Sequence, residues 1–183
     1  MNSKLVGLVV LIGVGLTACN TNPYSSEIKH VDSLKVELNE AKMKLDSVDL
    51  KKLGELSSTA TQQLSFIQKN YQDTMSKDLA SLLGFYKQTY RNMQKLANKT
   101  QQTQGELVKS EEQLENLSAD LANELIPKDS VNFYIQREER VTKEIKTAST
   151  QWIDAQERYI SYYDSTYPRV DSLLDVMKQN GMR

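Results

Sequence analysis

The last third of the chain carries the most regular hydrophobic pattern. One stripe of side chains recurs there at alternating steps of three and four residues over five heptads. It consists of Val131, Tyr134, Glu138, Val141, Ile145, Ala148, Trp152, Ala155, Tyr159, Tyr162 and Thr166. A sustained heptad repeat predicts one long helix, which we place at 130–178. Pro168 is expected to kink or interrupt it. Beyond this proline the stripe continues, shifted, with Val170, Leu173, Leu174 and Met177.

Two earlier segments show the same helical spacing. The middle segment has a polar centre and carries Leu79, Leu83, Tyr86, Tyr90, Met93, Ala97, Thr100, Gln104, Leu107, Glu111, Leu114, Ser118, Leu121 and Leu125. The first segment carries Val31, Leu34, Leu38, Ala41, Leu45 and Val48, followed by Leu53, Leu56, Ala60, Leu64, Ile67 and Tyr71. The step of five residues between Val48 and Leu53 shifts the phase, as a stutter or a short break would. Asp46 or Asp49 could cap a restart at that point.

Turn signals separate the three segments. Ser76 suits an N-cap, and Pro127 with the polar residues after it ends the second helix and starts the third. The predicted helices are therefore 26–74, 77–125 and 130–178, each about 73 Å long. Equal lengths and short connections predict an all-α, elongated, antiparallel, coiled-coil-like three-helix bundle over 26–180. The alternative is a helical hairpin that oligomerises, with the third segment pairing between chains.

The pattern of the N-terminal residues is typical of a targeting signal. Lys4 precedes an apolar and glycine run of twelve residues, the length of a signal-peptide core and too short to span a bilayer. The run ends in Leu16-Thr17-Ala18-Cys19, which resembles the lipobox of bacterial lipoproteins. The resemblance implies that signal peptidase recognises Leu16, Thr17 and Ala18 and removes a lipoprotein signal peptide, 1–18. It further implies that Cys19 carries a covalent diacylglycerol and an N-acyl chain such as palmitate. The alternative is a plain signal peptide with an incidental cysteine.

The residues after Cys19 bear on location. Asn20 stands where an Asp would resemble the inner-membrane retention signal of enterobacterial lipoproteins, and no acidic export run follows. By that resemblance the protein is anchored in the outer membrane and faces the periplasm, with 19–25 as a short lipidated tether. The mature chain also resembles small helical lipoproteins of Bacteroidota. The shared features are Asn-Pro-Tyr-Ser at 22–25, Val-Asp-Ser-Leu at 31–34 and Phe-Ile-Gln-Lys-Asn-Tyr at 66–71.

Composition excludes several classes of function. The 183-residue chain has one Cys and one His, too few for a disulfide framework or an ordinary structural zinc site. Its net charge of −1 and the lack of a basic stripe argue against nucleic-acid binding. No phosphate-binding glycine loop, paired His ligands or nucleophile elbow is present in the sequence. We therefore expect no enzyme, no metal, no cofactor besides the lipid on Cys19, and no small-molecule substrate.

Aromatic residues provide the candidate contacts. In the predicted bundle they lie in the half far from the lipid. A surface for a partner there would consist of Tyr86, Tyr90, Tyr159, Tyr163 and Tyr167. The alternative is a tyrosine-rich core. Trp152 is expected at mid-bundle beside Val48, Thr103 and Gln104, where it fills space or marks a waist that hinges or binds a ligand.

These observations favour a membrane-anchored helical lipoprotein that acts as a structural or protein-interaction module of the cell envelope. The expected partner is an envelope protein of unknown identity. The alternative is a chaperone- or carrier-like module that holds an apolar ligand or an unfolded client in the bundle.

Overall fold

The structure, a computed structural model, describes residues 22–180. The expected signal peptide, its lipobox residues Leu16, Thr17 and Ala18, and Cys19 lie outside the described residues. Within 22–180 the chain forms four helices and no strand. They are α1 (Ser25–Asp46), α2 (Leu50–Asn70), α3 (Lys77–Ala122) and α4 (Lys128–Gln179). Two consecutive helices, α1 and α2, take the place of the first predicted helix. Both pack against α3 and α4, which run antiparallel to each other. The predicted all-α helical bundle is confirmed.

The phase shift in the first stripe is a short break. α1 ends at Asp46, and α2 starts at Leu50. Of the two proposed caps, Asp49 is the one used, because its side chain accepts a hydrogen bond from the Lys52 backbone N–H at 2.8 Å. The break lets both halves of the stripe face the core: Leu45 and Leu53 are each fully buried.

The two other turns lie at the predicted signals, with small differences in bounds. Ser76 caps α3 by accepting a hydrogen bond from the Leu79 N–H at 3.2 Å. α3 ends earlier than predicted, at Ala122, because Glu124 adopts a left-handed backbone with a φ of 56° that no helix continues through. Pro127 directly precedes α4, where its missing N–H costs nothing.

Pro168 does not interrupt the last helix. α4 is continuous through this residue, although an interruption was one expectation. Pro168 lies on the exposed face of α4, where water can bond the Asp164 carbonyl that loses its helical partner. The shifted stripe after the proline is present, since Val170, Leu174 and Met177 are buried.

The buried face of α4 differs in part from the predicted stripe. Ile135, Thr142 and Ser149 are buried, rather than their predicted neighbours Tyr134, Val141 and Ala148. On α3 likewise, Thr89, Leu96, Thr103, Ser110 and Leu117 are buried beside the predicted positions. A helix in a three-helix bundle faces two neighbours, so its buried face is wider than a single coiled-coil seam.

Two apolar clusters divide the interior. The α1 core is formed by α1, the second half of α3 and the first half of α4. Its members include Val31, Leu38, Leu45, Leu114, Leu121 and Ile145. The α2 core is formed by α2 and the other halves of α3 and α4. Its members include Leu53, Ile67, Tyr86, Met93, Tyr163 and Leu174. Trp152 packs against both clusters, at the middle of the bundle.

Candidate interaction surfaces

The tyrosines proposed as a partner-binding patch are largely part of the α2 core. Tyr86 is 0% exposed and Tyr163 is 4% exposed, and their ring centroids lie 5.5 Å apart. Burial raises the pKa of both phenols. The Tyr86 hydroxyl donates a hydrogen bond to Gln63 Oε1 at 2.6 Å, which satisfies its polar end. An exposed docking surface built on Tyr86 and Tyr163 is therefore wrong, and the core interpretation holds for these two residues.

The three other tyrosines of that patch lie at the edge of the same core. Tyr90, Tyr159 and Tyr167 are half-buried. The Tyr167 ring stacks on Tyr163 at 5.4 Å, and the Arg158 guanidinium lies over the Tyr159 ring at 5.6 Å. They do not form one continuous exposed stripe, because the rotation of α4 turns Tyr163 inward between them.

The exposed aromatic pair at this end was not among the candidate residues. Phe85 and Tyr162 are both exposed, and their ring centroids lie 5.3 Å apart. Tyr162 was expected in the buried stripe and Tyr163 outside it. In the structure Tyr163 is buried and Tyr162 is exposed. The available signal was the adjacency of Tyr162 and Tyr163, which requires that one of them faces outward.

A groove runs between α2 and α3 beside this pair. This α2–α3 groove has a volume of about 430 Å³. Its apolar wall consists of Leu64, Ile67, Met75, Leu83 and Tyr90. Lys87 and Arg91 add two cations one helical turn apart, and the lining residues, all within 22–180, include no carboxylate. Tyr90 is thus the one candidate tyrosine that lines a groove with a defined chemical character.

The opposite end of the bundle holds the start of the described chain. The Asn22 amide donates hydrogen bonds to the carbonyls of Leu121 and Ala122 at 3.1 and 3.0 Å. The Tyr24 hydroxyl donates to the Ile126 carbonyl at 2.9 Å. The Asn22 bonds go to the last two carbonyls of α3, and the Tyr24 bond pairs a carbonyl of the turn that follows. They also fix the emerging N-terminal segment against the α3–α4 turn.

Apolar side chains project from this same end. We call Leu125, Phe133 and Tyr134 the turn cluster. Phe133 and Tyr134 meet edge to face, with centroids 5.6 Å apart. Leu125 and Tyr134 both line an open groove of ≈ 380 Å³ between the end of α3 and the start of α4.

A carboxylate is buried at the inner wall of that groove. Glu138 is 5% exposed, and its Oε2 has no hydrogen-bond partner among the described residues. The Arg137 Nε lies 3.7 Å from its other oxygen, too far for a hydrogen bond. Burial raises the pKa of the Glu138 carboxyl, and Arg137 opposes that shift only in part. In the sequence, Glu138 is one position of the predicted heptad stripe and was given no role of its own.

The waist around Trp152 is packed. The indole N–H donates to Thr103 Oγ1 at 3.2 Å, and the Lys99 ammonium lies 5.2 Å from the ring centroid. Thr103 was one of the neighbours expected for Trp152. Elsewhere on the buried faces of α3 and α4, the hydroxyls of Thr100, Ser110 and Thr142 have no hydrogen-bond partner in the described chain. The packing interpretation accounts for Trp152, but it leaves these polar atoms unpaired.

None of the four helices within 22–180 is long and apolar enough to cross a bilayer. Nowhere in the described range do three or more His, Cys, Asp or Glu side chains gather as a metal site would require.

Comparison with known proteins gives no relative: no family model, no curated protein and no solved structure matches the chain.

Proposed function

We propose that the chain is a lipid-anchored helical rod of the cell envelope that binds a partner protein at the end far from its anchor. In this proposal Cys19 holds it in the outer membrane, facing the periplasm. It acts as a structural adaptor or scaffold, without catalysis and without a bound cofactor.

The position of Asn22 supports the orientation. Cys19 precedes it by three residues, so the two are at most about 11 Å apart along the chain. Because Asn22 is bonded to the end of α3, a lipid on Cys19 would bring the α3–α4 turn close to the membrane. The α2–α3 groove lies near the other end of the helices, about 60 Å away at 1.5 Å per residue.

The chemistry of the α2–α3 groove is the observation that carries the proposal. An apolar wall with Lys87 and Arg91 at one side suits an amphipathic segment that has apolar residues on one face and carboxylates beside them. Neutral or basic segments would leave the two cations without a partner. The proposed partner therefore presents an acidic amphipathic helix to the groove.

A photo-crosslinking residue at Gly84 tests this docking. Gly84 lines the groove, and a side chain added there meets no atom within 4 Å, so the substitution should not disturb the fold. In intact envelopes we expect one protein to crosslink, through a peptide that carries the acidic segment. The double variant Lys87→Glu/Arg91→Glu should abolish this product, because it reverses the charge of the groove.

Matched controls decide the outcome. Gly105 on the same helix also has open space at its Cβ, and a crosslinker there should give no such product. Lys109→Glu, an exposed reversal elsewhere on α3, should leave the product intact. Equal products from Gly84 and Gly105, or a product that survives the double reversal, would contradict the proposal. Cys19→Ser tests the anchor separately, since the protein should then leave the membrane fraction.

The buried, unpaired polar atoms favour a carrier as the second candidate. Thr100, Ser110 and Thr142 leave unpaired hydroxyls on the buried faces of α3 and α4, and each such hydroxyl lowers the cost of opening the interior to a client. Strong binding of an apolar-surface dye by the folded protein would favour this function over the rod.

A further inference from the structure

The turn cluster is the most exposed apolar feature of the described chain. Leu125 is 68% exposed and Phe133 is 66% exposed, the highest values among its large hydrophobic residues. Tyr134 lies beside them with its ring against Phe133. Folding leaves these three side chains in contact with water, although the α1 core lies close by.

The position of the cluster relative to the N-terminal segment suggests what covers it. Tyr24 bonds to Ile126, the residue that follows Leu125. Phe133 lies five residues into α4, about 7.5 Å along the axis from its first residue. Helical side chains lean toward the N-terminus of their helix, so Phe133 and Tyr134 lean toward the end where Asn22 emerges.

We propose that the turn cluster inserts into the interface of the lipid bilayer to which Cys19 is attached. This inference rests on the lipid anchor of the proposed function. Apolar side chains of interfacial segments bury about 5–10 Å into the boundary between headgroups and acyl chains, and Phe133 is close enough to the start of α4 to reach this boundary when the end of the bundle rests on the membrane. Tyrosine suits this boundary because its ring is apolar and its hydroxyl stays hydrated.

Charge at this end identifies the kind of lipid contact. Asp120, Glu124 and Asp129 surround the turn, and the cations at this end are Lys128 and Arg137, which lines the groove with Leu125 and Tyr134. A polybasic contact with anionic headgroups is therefore not what this surface offers. The cluster makes an apolar contact that zwitterionic lipid suffices to support and that salt does not weaken.

Tryptophan fluorescence on tethered protein tests the insertion. The chain from Cys19 to Arg183 keeps every described residue and has a single thiol, which is coupled to maleimide lipid in phosphatidylcholine vesicles. Phe133→Trp is introduced in a Trp152→Phe background, so that the new indole is the only one. We expect a blue shift of several nanometres on coupling, and strong quenching by brominated lipid, both unchanged in high salt.

Phe85→Trp in the same background is the matched control. Phe85 is also an exposed aromatic residue, but it lies at the opposite end of the bundle, so its emission should not change on coupling. Adding Leu125→Asp to Phe133→Trp should reduce the shift. If Phe133→Trp emission stays unshifted and unquenched on coupled vesicles, the cluster faces water and the inference is overturned in favour of a protein contact. Chemical coupling supplies the anchor, so this result is independent of whether Cys19→Ser releases the protein from envelopes.

Discussion

The two cores of this bundle solve the same packing problem with different side chains. The α2 core is built from aromatic and long apolar residues, and its polar atoms are paired where they are buried, as Tyr86 is with Gln63. The α1 core is mostly aliphatic. The same halves of α3 and α4 also carry Ser110, Thr142 and Glu138, each of which has a buried polar atom without a partner in the described chain.

The difference has an energetic meaning. A buried polar atom without a hydrogen bond costs about 1–3 kcal/mol relative to a paired one. The α1 core contains several such atoms, so it should open more readily than the α2 core, although both bury continuous apolar surface. The half of the rod that is nearest the proposed anchor is thus the less stable half, and the half with the α2–α3 groove is the more rigid one.

Truncation in the α2 core should have the largest effect. Tyr86→Ala removes a fully buried ring and is expected to lower the free energy of unfolding by about 3–5 kcal/mol, measured by urea denaturation. Amide hydrogen exchange should accelerate in α2 while α1 stays protected. Tyr86→Phe, which removes only the hydroxyl bonded to Gln63, should cost about 1 kcal/mol. Equal acceleration in α1 and α2 would show that the two cores unfold as one unit.

Removing the buried carboxylate of the α1 core should instead raise the free energy of unfolding. Glu138→Leu is expected to stabilise the protein at pH 7 by about 1–3 kcal/mol, because it removes a buried acceptor without a partner. Glu139→Gln is the matched control. Glu139 is half-buried and pairs with His30 at 2.7 Å, so its loss should change stability by about 0–1 kcal/mol.

The same residue predicts a direction of pH dependence. Burial raises the pKa of folded Glu138 above the ordinary value of 4.5, so the folded state binds its proton more tightly than the unfolded state. This tighter binding stabilises the folded state. The stabilisation is fully present below pH 4.5 and is lost as the pH rises through the pKa of folded Glu138. Glu138→Gln should flatten this part of the stability profile. A profile that is identical in wild type and variant would contradict the assignment.

Removing the hydrogen bond between Trp152 and Thr103 at the junction of the two cores should have the smallest effect on stability. Trp152→Phe keeps most of the ring but removes the N–H bonded to Thr103, for an expected loss of about 1 kcal/mol. Thr103→Val removes the same bond from the other side. The double variant should cost less than the sum of the two, as a thermal denaturation cycle would measure. Strict additivity would mean that the bond contributes nothing to joining the two halves.

Much of the fold followed from the sequence because hydrophobic spacing determines which helical face is buried. Nine of the twelve residues in the stripe of the first segment are buried, while Leu56, Leu64 and Tyr71 are half-buried. The five-residue step predicted the break that Asp49 caps. Ser76 and Pro127 marked the other turns. These are local signals, since each depends on residues within one or two helical turns.

The candidate site was harder to identify from sequence. A heptad pattern does not distinguish Tyr162 from Tyr163, because a rotation of α4 by part of a turn exchanges which of them is buried. That rotation depends on how α4 fits α2 and α3 together. The α2–α3 groove and the turn cluster both combine residues from different segments, so neither exists as a pattern along one helix.

The sequence by itself determined that the described chain is helical, where its helices turn, and which broad faces pack together. Spacing, caps and prolines act over short distances, so they leave a local record. Only the tertiary structure decided which tyrosines are buried, which hydroxyls and which carboxylate lack partners, and which end of the bundle Asn22 joins. Those outcomes depend on contacts between residues about 100 positions apart, such as Asn22 with Leu121, whose geometry arises only when the helices assemble.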